Sequence, residues 1–244
     1  KTTGLSFGLG KRLTWPDDYF TVYHGINLMR YQLRNYSSIF NFGTGNGYFN
    51  VISYNISVGR NSVSQPLYPR YGSELVLSLE LTPPYSAFSN KNYEELFPGE
   101  DKRAEREDNM YRWVEFHKWK FKLAWYNELY DKLVLMTRVR FGYLGCYNQG
   151  IGITPFQRFY LGGDGLSNYN FDGREIIGMR GYANNRLTPN FYIDEDFGGN
   201  IFTKYTLELR FPLSLNPTAT IYALGFLEAG NDWFGVQNFN PFDV

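Results

Sequence analysis

The sequence predicts an all-β fold: a transmembrane antiparallel β-barrel segment of about eight strands carrying a long inward-folded loop. Three observations predict it. Segments of roughly ten residues, the length a tilted membrane strand requires, alternate strictly between apolar and polar side chains. The connections between them alternate between short and long. Aromatic residues make up 19 % of the 244 residues, with 21 Tyr, 21 Phe and 5 Trp, yet the mean hydropathy is only −0.40. A chain that is polar on average and rich in aromatics suits strands that show lipid one face and water the other, with aromatic girdles at both interfaces. No apolar run approaches the roughly 20 residues of a membrane helix.

The strands follow in order. From Leu5 to Leu13, Leu5, Phe7, Leu9 and Leu13 oppose Ser6, Gly8, Gly10 and Arg12. Phe20 to Leu33 is strand-like with a mixed pattern. From Asn50 to Arg60, Ile52, Tyr54, Ile56 and Val58 oppose Val51, Ser53, Asn55 and Ser57. From Ser73 to Leu81, a ladder of Leu75, Leu77, Leu79 and Leu81 opposes Glu74, Ser78 and Glu80. From Lys118 to Glu128, Trp119, Phe121, Leu123 and Trp125 oppose Lys118, Lys120 and Lys122. From Lys132 to Tyr143, Leu133, Leu135, Val139, Phe141 and Tyr143 oppose Lys132, Arg138 and Arg140. From Thr203 to Leu213, Tyr205, Leu207, Leu209, Phe211 and Leu213 oppose Lys204, Thr206, Glu208 and Arg210. Thr220 to Ala229 is nearly apolar on both faces; if Glu228 points inward, Tyr222, Leu224 and Phe226 go with it.

The faces themselves separate this fold from a soluble sandwich, whose strands also alternate but are shorter. Lysine near the membrane midplane on the lipid face costs roughly 2–4 kcal/mol. Lys118, Lys120 and Lys122 therefore face a wet lumen, where Glu74, Glu80 and Glu128 are the acids available to offset them. Short connections at Trp15–Asp18, Glu128–Asp131 and Ser214–Thr218 belong on the periplasmic side. Longer ones at Arg34–Tyr48, Thr82–Arg112 and Leu144–Asn200 belong outside. The charged stretch Glu94–Asp108 reads as a solvated loop. No signal peptide is visible, because the sequence starts at Lys1 with an amphipathic segment, and the expectation for an outer-membrane protein is that the start has been removed or was never included. Asn231–Val244 reads as the start of another loop. An open sheet edge in lipid leaves backbone groups unsatisfied, so the expectation is a portion of a larger barrel.

Composition and residue inventory narrow the function. With 24 basic and 24 acidic residues the formal charge is zero, which gives no reason to propose nucleic acid as a partner. Cys146 is the single cysteine, which excludes an internal disulfide and a Cys-based metal site. The two histidines, His24 and His117, lie in no nucleophile motif. Glu94, Glu95, Glu105 and Glu107 lack a rigid frame for acid–base work, and Asp194, Glu195 and Asp196 read as solvated acids. No enzyme activity, cofactor or metal is expected.

The stretch from Leu144 to Asn200 carries the most information, because an unstructured connection of this length in a compact domain normally has a job. It contains Arg158-Phe159-Tyr160-Leu161-Gly162-Gly163-Asp164-Gly165 and then Met179-Arg180-Gly181-Tyr182. Gly162 and Gly163 read as a turn, with Arg158, Phe159 and Tyr160 as a strand-like segment on the lumen wall. No phosphate-loop pattern is present. Arg180 presents a planar fork of donors, and Glu208 and Glu228 stand on neighbouring strands joined by a short turn. Gly181 permits a tight approach or a positive φ, and Tyr182 adds a ring with a polar tip. A loop locked inside the barrel is one reading of this set. A solvated external arginine is the other.

RFYLGG at 158–163, Met-Arg-Gly-Tyr at 179–182, TLELRFPL at 206–213 and FLEAGNDW at 226–233 together resemble the barrel of the BamA family of outer-membrane assembly factors, within the Omp85-type superfamily. The family's loop tip is Val-Arg-Gly-Phe/Tyr, so Met179 is a modest departure. The family also places an acid on each of the two strands that follow. Glu208 matches the first, and Glu228 stands where the second is an aspartate. The resemblance covers most of the chain in strand order, with its specific motifs in the last third. It implies that these strands are the sixth to thirteenth of a sixteen-stranded barrel, with POTRA domains, first strands and last strands absent. It implies an outer-membrane location and non-enzymatic folding and insertion of β-barrel proteins. The implied partners are outer-membrane lipids, unfolded outer-membrane protein clients and accessory assembly lipoproteins. A polypeptide-secretion pore of the same superfamily and a passive porin or uptake channel are the alternatives.

Overall fold

The structure is a computed structural model that describes residues 1–34, 44–89, 91–164, 175–189, 198–216 and 218–243. In chain order the strands are β1 (Thr2–Arg12), β2 (Phe20–Leu33), β3 (Gly47–Asn61), β4 (Gly72–Leu81), β5 (His117–Tyr130) and β6 (Leu133–Gly145). Two short strands follow within the long loop, β7 (Phe159–Leu161) and β8 (Glu175–Ile177). The chain then returns to the wall as β9 (Ile201–Asn216) and β10 (Ala219–Trp233). The wall is one eight-stranded antiparallel sheet in the order β1-β2-β3-β4-β5-β6-β9-β10. Its edges among the described residues are β1 and β10.

Alternation dictates the faces. On β6, Val134, Met136 and Leu144 are fully buried, so Arg138 and Arg140, in the same phase, also point inward. Leu207, Leu209 and Phe211 of β9 stay exposed, while Thr206, Glu208 and Arg210 are buried. The ambiguous last segment resolves in the same way. Phe226 and Glu228 face the lumen, and a bulge between Ile221 and Tyr222 shifts the register near the turn. On β1 the lumen face is Gly4, Ser6, Gly8 and Gly10, and the Tyr23 hydroxyl lies where a side chain at Gly8 would stand.

Several boundaries differ from the sequence expectation. Lys132 is in the turn, not the strand: Tyr130 pairs with Leu133, and Asp131 and Lys132 both adopt positive φ, 36° and 69°. A two-residue hairpin loop needs that mirror-image geometry to match strand twist. Asn231–Trp233 continue β10 because they pair with Ile201–Thr203. Glu94–Asp108 is not a bare solvated loop. It carries the helices α1 (Tyr93–Leu96) and α2 (Arg103–Met110). The Asn92 side chain caps the first by accepting from the Glu94 N–H, and Arg103 pairs with Glu107 one turn on.

The long loop is structured where it is described, and the strand-like segment expected around Phe159 and Tyr160 is β7. β7 and β8 pair in parallel, and Phe159 and Gly199 exchange backbone hydrogen bonds of 2.9 Å. Phe156, Phe159, Leu161, Ile177 and Met179 of the loop are buried against Phe49, Val51, Leu144 and Phe202 of the wall. Burying such side chains is worth roughly 1.5–3 kcal/mol each. Gly142 of β6 is the contact point, since a Cβ there would fall 2.3 Å from the Phe202 ring and 2.7 Å from Phe159.

Candidate functional site: an arginine turn on the barrel wall

Met179, Arg180, Gly181 and Tyr182 form a tight turn closed by a hydrogen bond from the Tyr182 N–H to the Met179 carbonyl, 3.3 Å. Gly181 occupies its third position at φ +90°, with open space where a Cβ would be. Glycine is therefore required for conformation, not for room, as in turns that demand positive φ at that position. Met179 is buried and paired in a bridge with Gly163, which anchors one side of the turn to the RFYLGG segment. Arg180 is left at the tip, aimed at the wall. Tyr182 is half-exposed, and its carbonyl accepts from the Gly163 N–H at 3.1 Å.

The wall meets Arg180 with two acids. One guanidinium nitrogen, Nη2, donates to Glu208 Oε1 at 3.0 Å and to Glu228 Oε1 at 2.8 Å. The Arg180 backbone N–H donates to Glu228 Oε2 at 3.0 Å. The guanidinium carbon sits 3.6 Å from the centre of the Phe226 ring, a cation–π stack. The carboxylates are nearly buried, with side-chain exposures of 7 % and 5 %, against 34 % for the arginine. β9 and β10 pair such that Glu208 is opposite Phe226 and Glu228 opposite Thr206. Both acids and the ring thus converge on one spot of the wall.

Neither acid depends on Arg180 alone. Arg210 holds Glu208 Oε2 through two donors at 2.9 and 2.6 Å. Lys204 reaches Glu228 Oε1 at 2.9 Å and donates to the Gly178 carbonyl, next to the turn, at 2.6 Å. Arg210 and Lys204 share the inward face of β9 with Glu208. The alternation alone places them there, but their pairing is visible only in three dimensions.

The loop has a second charged contact of reversed sign. Glu175, the first residue of β8, lies 2.8 Å from Lys118 Nζ and 3.4 Å from Lys120 Nζ of β5. Lys118 is almost fully buried. It also donates to the Gln157 carbonyl at 2.9 Å and lies 4.6 Å from the centre of the Phe159 ring. Burial would push the Glu175 carboxyl up, but the two ammonium groups overcome it and hold the group at about 2. The sequence signal was a row of inward lysines requiring acids. Of those expected, Glu74 does pair with Lys122, at 2.8 Å, but Glu128 pairs instead with Arg70. Glu80 forms no ion pair with these lysines among the described residues, and Glu175 takes that place.

In the other motif, Arg158, Phe159 and Tyr160 are buried, and Arg158 donates to the Ile153 carbonyl at 3.3 Å. Gly162 and Gly163 turn the chain at φ +132° and +89°, and a Cβ on Gly162 would stand 2.5 Å from the Ala183 carbonyl oxygen. Gly165 and the acids Asp194, Glu195 and Asp196 lie outside the described residues. Burial pushes the Cys146 thiol up from its usual value, which disfavours the reactive thiolate.

An Omp85 superfamily domain matches residues 1–243, almost the entire chain. The chain belongs to the Omp85 superfamily. Among solved structures, the Omp85 fold seen here is similar to that of BamA from Haemophilus ducreyi lacking POTRA domains 1-3. The TM-score is 0.60 at 19 % sequence identity, over 96 % of this chain and 42 % of that one. The Omp85 chain described here thus spans less than half the length of that protein, and at this identity the likeness is one of fold. No curated protein matches it.

Proposed function

We propose that this Omp85 chain is barrel wall and bracing loop of an outer-membrane insertase, a multi-pass protein that folds β-barrel clients and inserts them into the outer membrane. The observation that carries the reading is the Arg180 turn gripped by Glu208 and Glu228 on adjacent strands. That contact supports the reading because the resemblance implies a loop arginine facing an acid on each of the two following strands. In this reading the loop is a brace: it stiffens the wall from inside while backbone edges elsewhere engage client strands. Catalysis is physical, through unsatisfied strand edges and a perturbed bilayer, with no bond chemistry, nucleotide or cofactor. Its partners are outer-membrane lipids, unfolded outer-membrane protein clients and accessory lipoproteins.

Depletion of the full-length protein in its own host tests the proposal. Loss of many β-barrel proteins from the outer membrane, with unfolded precursors accumulating in the periplasm, is the expected result. Loss of a single secreted polypeptide, with the other barrels assembled normally, would assign a secretion pore instead. Normal assembly accompanied by loss of solute conductance would assign a passive channel.

A further inference from the structure

We propose that the luminal face of β6, around Arg138 and Arg140, is a binding site for a phosphate-type oxyanion. The two arginines are two residues apart on one strand, so their side chains leave the same face with Cα atoms about 7 Å apart. In register, Arg140 is directly opposite Lys122 of β5 on one side and Lys204 of β9 on the other. Three cations side by side across three strands repel one another, an arrangement that like-charge pairing disfavours.

The available acids do not relieve this row evenly. Glu74 takes Lys122, at 2.8 Å. Glu228 takes Lys204 and Arg180, at 2.9 and 2.8 Å. Glu175 takes Lys118 and Lys120. Arg140 forms an ion pair with neither Glu175 nor Glu228 among the described residues. Its guanidinium carbon lies 5.8 Å from the centre of the Phe202 ring. The Nε–H of Arg138 is buried with no hydrogen-bond partner. Buried donors almost always find an acceptor, and leaving a charged one unmatched is costly. The two guanidinium groups present planar donor forks, the geometry that grips a tetrahedral oxyanion with two hydrogen bonds each. The site is on the wall strand between the two loop contacts, level with the span from Glu175 to Arg180. It is separate from the Arg180 turn and does not depend on the insertase reading.

The test is calorimetric titration of the folded full-length protein in detergent with sodium phosphate, against sodium chloride at matched ionic strength. Saturable binding in phosphate alone is expected, at least tenfold weaker in an Arg138→Gln, Arg140→Gln variant that retains heat-modifiable gel mobility. If that variant does not fold, Arg138→Lys and Arg140→Lys keep the charge, remove the fork and should meet the same tenfold criterion. A soluble short-chain phosphatidic acid titrated in parallel separates the sources. Competition with phosphate assigns a lipid headgroup and its absence a free ion, and either supports the site. Identical phosphate and chloride isotherms, or undiminished binding in the folded variant, would overturn the proposal.

Discussion

Arg180→Ala removes the only charged group the turn offers to the wall, and its cost can be worked from the contacts. Deleting the sole partner of a buried charge costs roughly 3–5 kcal/mol. That figure applies to two carboxylates abandoned together, and the structure shows a smaller loss. Glu208 keeps Arg210 at 2.6 Å, and Glu228 keeps Lys204 at 2.9 Å. The backbone N–H of residue 180 still donates to Glu228. The arginine is about a third exposed, so solvent screens part of its attraction. What disappears is two charge-assisted hydrogen bonds and the stack on Phe226, a net effect of about 2 kcal/mol. That is roughly a thirtyfold change in the ratio of docked to undocked loop. Urea unfolding of the full-length protein in liposomes, read by heat-modifiable gel mobility, should show the lower midpoint. A cycle with Glu228→Gln should give a coupling of about 1 kcal/mol, because the two side chains share one contact. An unchanged midpoint, or strict additivity in the cycle, would refute the reasoning.

Three further outcomes are expected. Glu175 is on the loop, outside the membrane strands, and its folded value of about 2 is below the ordinary 4.5. Its stabilisation should be complete above pH about 4.5 and fade as pH falls toward about 2. The difference in thermal midpoint between wild type and Glu175→Gln should shrink over that window, and a constant difference would exclude the ion pair. Gly162→Ala should loosen the loop more than Gly181→Ala, because the first meets a carbonyl at 2.5 Å and the second meets nothing. Limited proteolysis of the loop reports the order, with Gly181→Ala costing on the order of 1 kcal/mol from positive φ alone. Leu209→Arg, on the exposed lipid face of β9, should cost about 2–4 kcal/mol near the midplane. Its folded yield in liposomes should fall well below that of wild type.

The strands were legible because a β-strand's side chains alternate with period two, and lipid on one side punishes any charge out of phase. Hence Lys118, Lys120 and Lys122 could be assigned inward from the sequence alone, and Arg138, Lys204 and Arg210 shared a face with them or with Glu208. Arg180, Glu208 and Glu228 stand out in the residues themselves, but there a solvated external arginine is the other reading, and it is the family resemblance that favours the lock. Local chemistry also misled. The Asn92 cap on α1 and the Arg103–Glu107 pair in α2 order a stretch whose charge density suggests a loop. The Lys132 turn needed positive φ at two residues that are not glycine, which composition does not advertise.

Charge partners are a different kind of information. Glu128 was an available acid for the lysines on its own strand, but Arg70 from the β3–β4 connection claims it. Glu175 carried no sequence signal linking it to Lys118, 57 positions earlier in the chain. The residue pattern therefore determined which side chains face the lumen, since that depends only on strand phase and the cost of charge in lipid. Which cation meets which anion was decided by the path of the loop through that lumen. That path is set by apolar packing of Phe156, Phe159, Leu161, Ile177 and Met179 against β3, β6 and β9, a sum of contacts between segments distant in sequence.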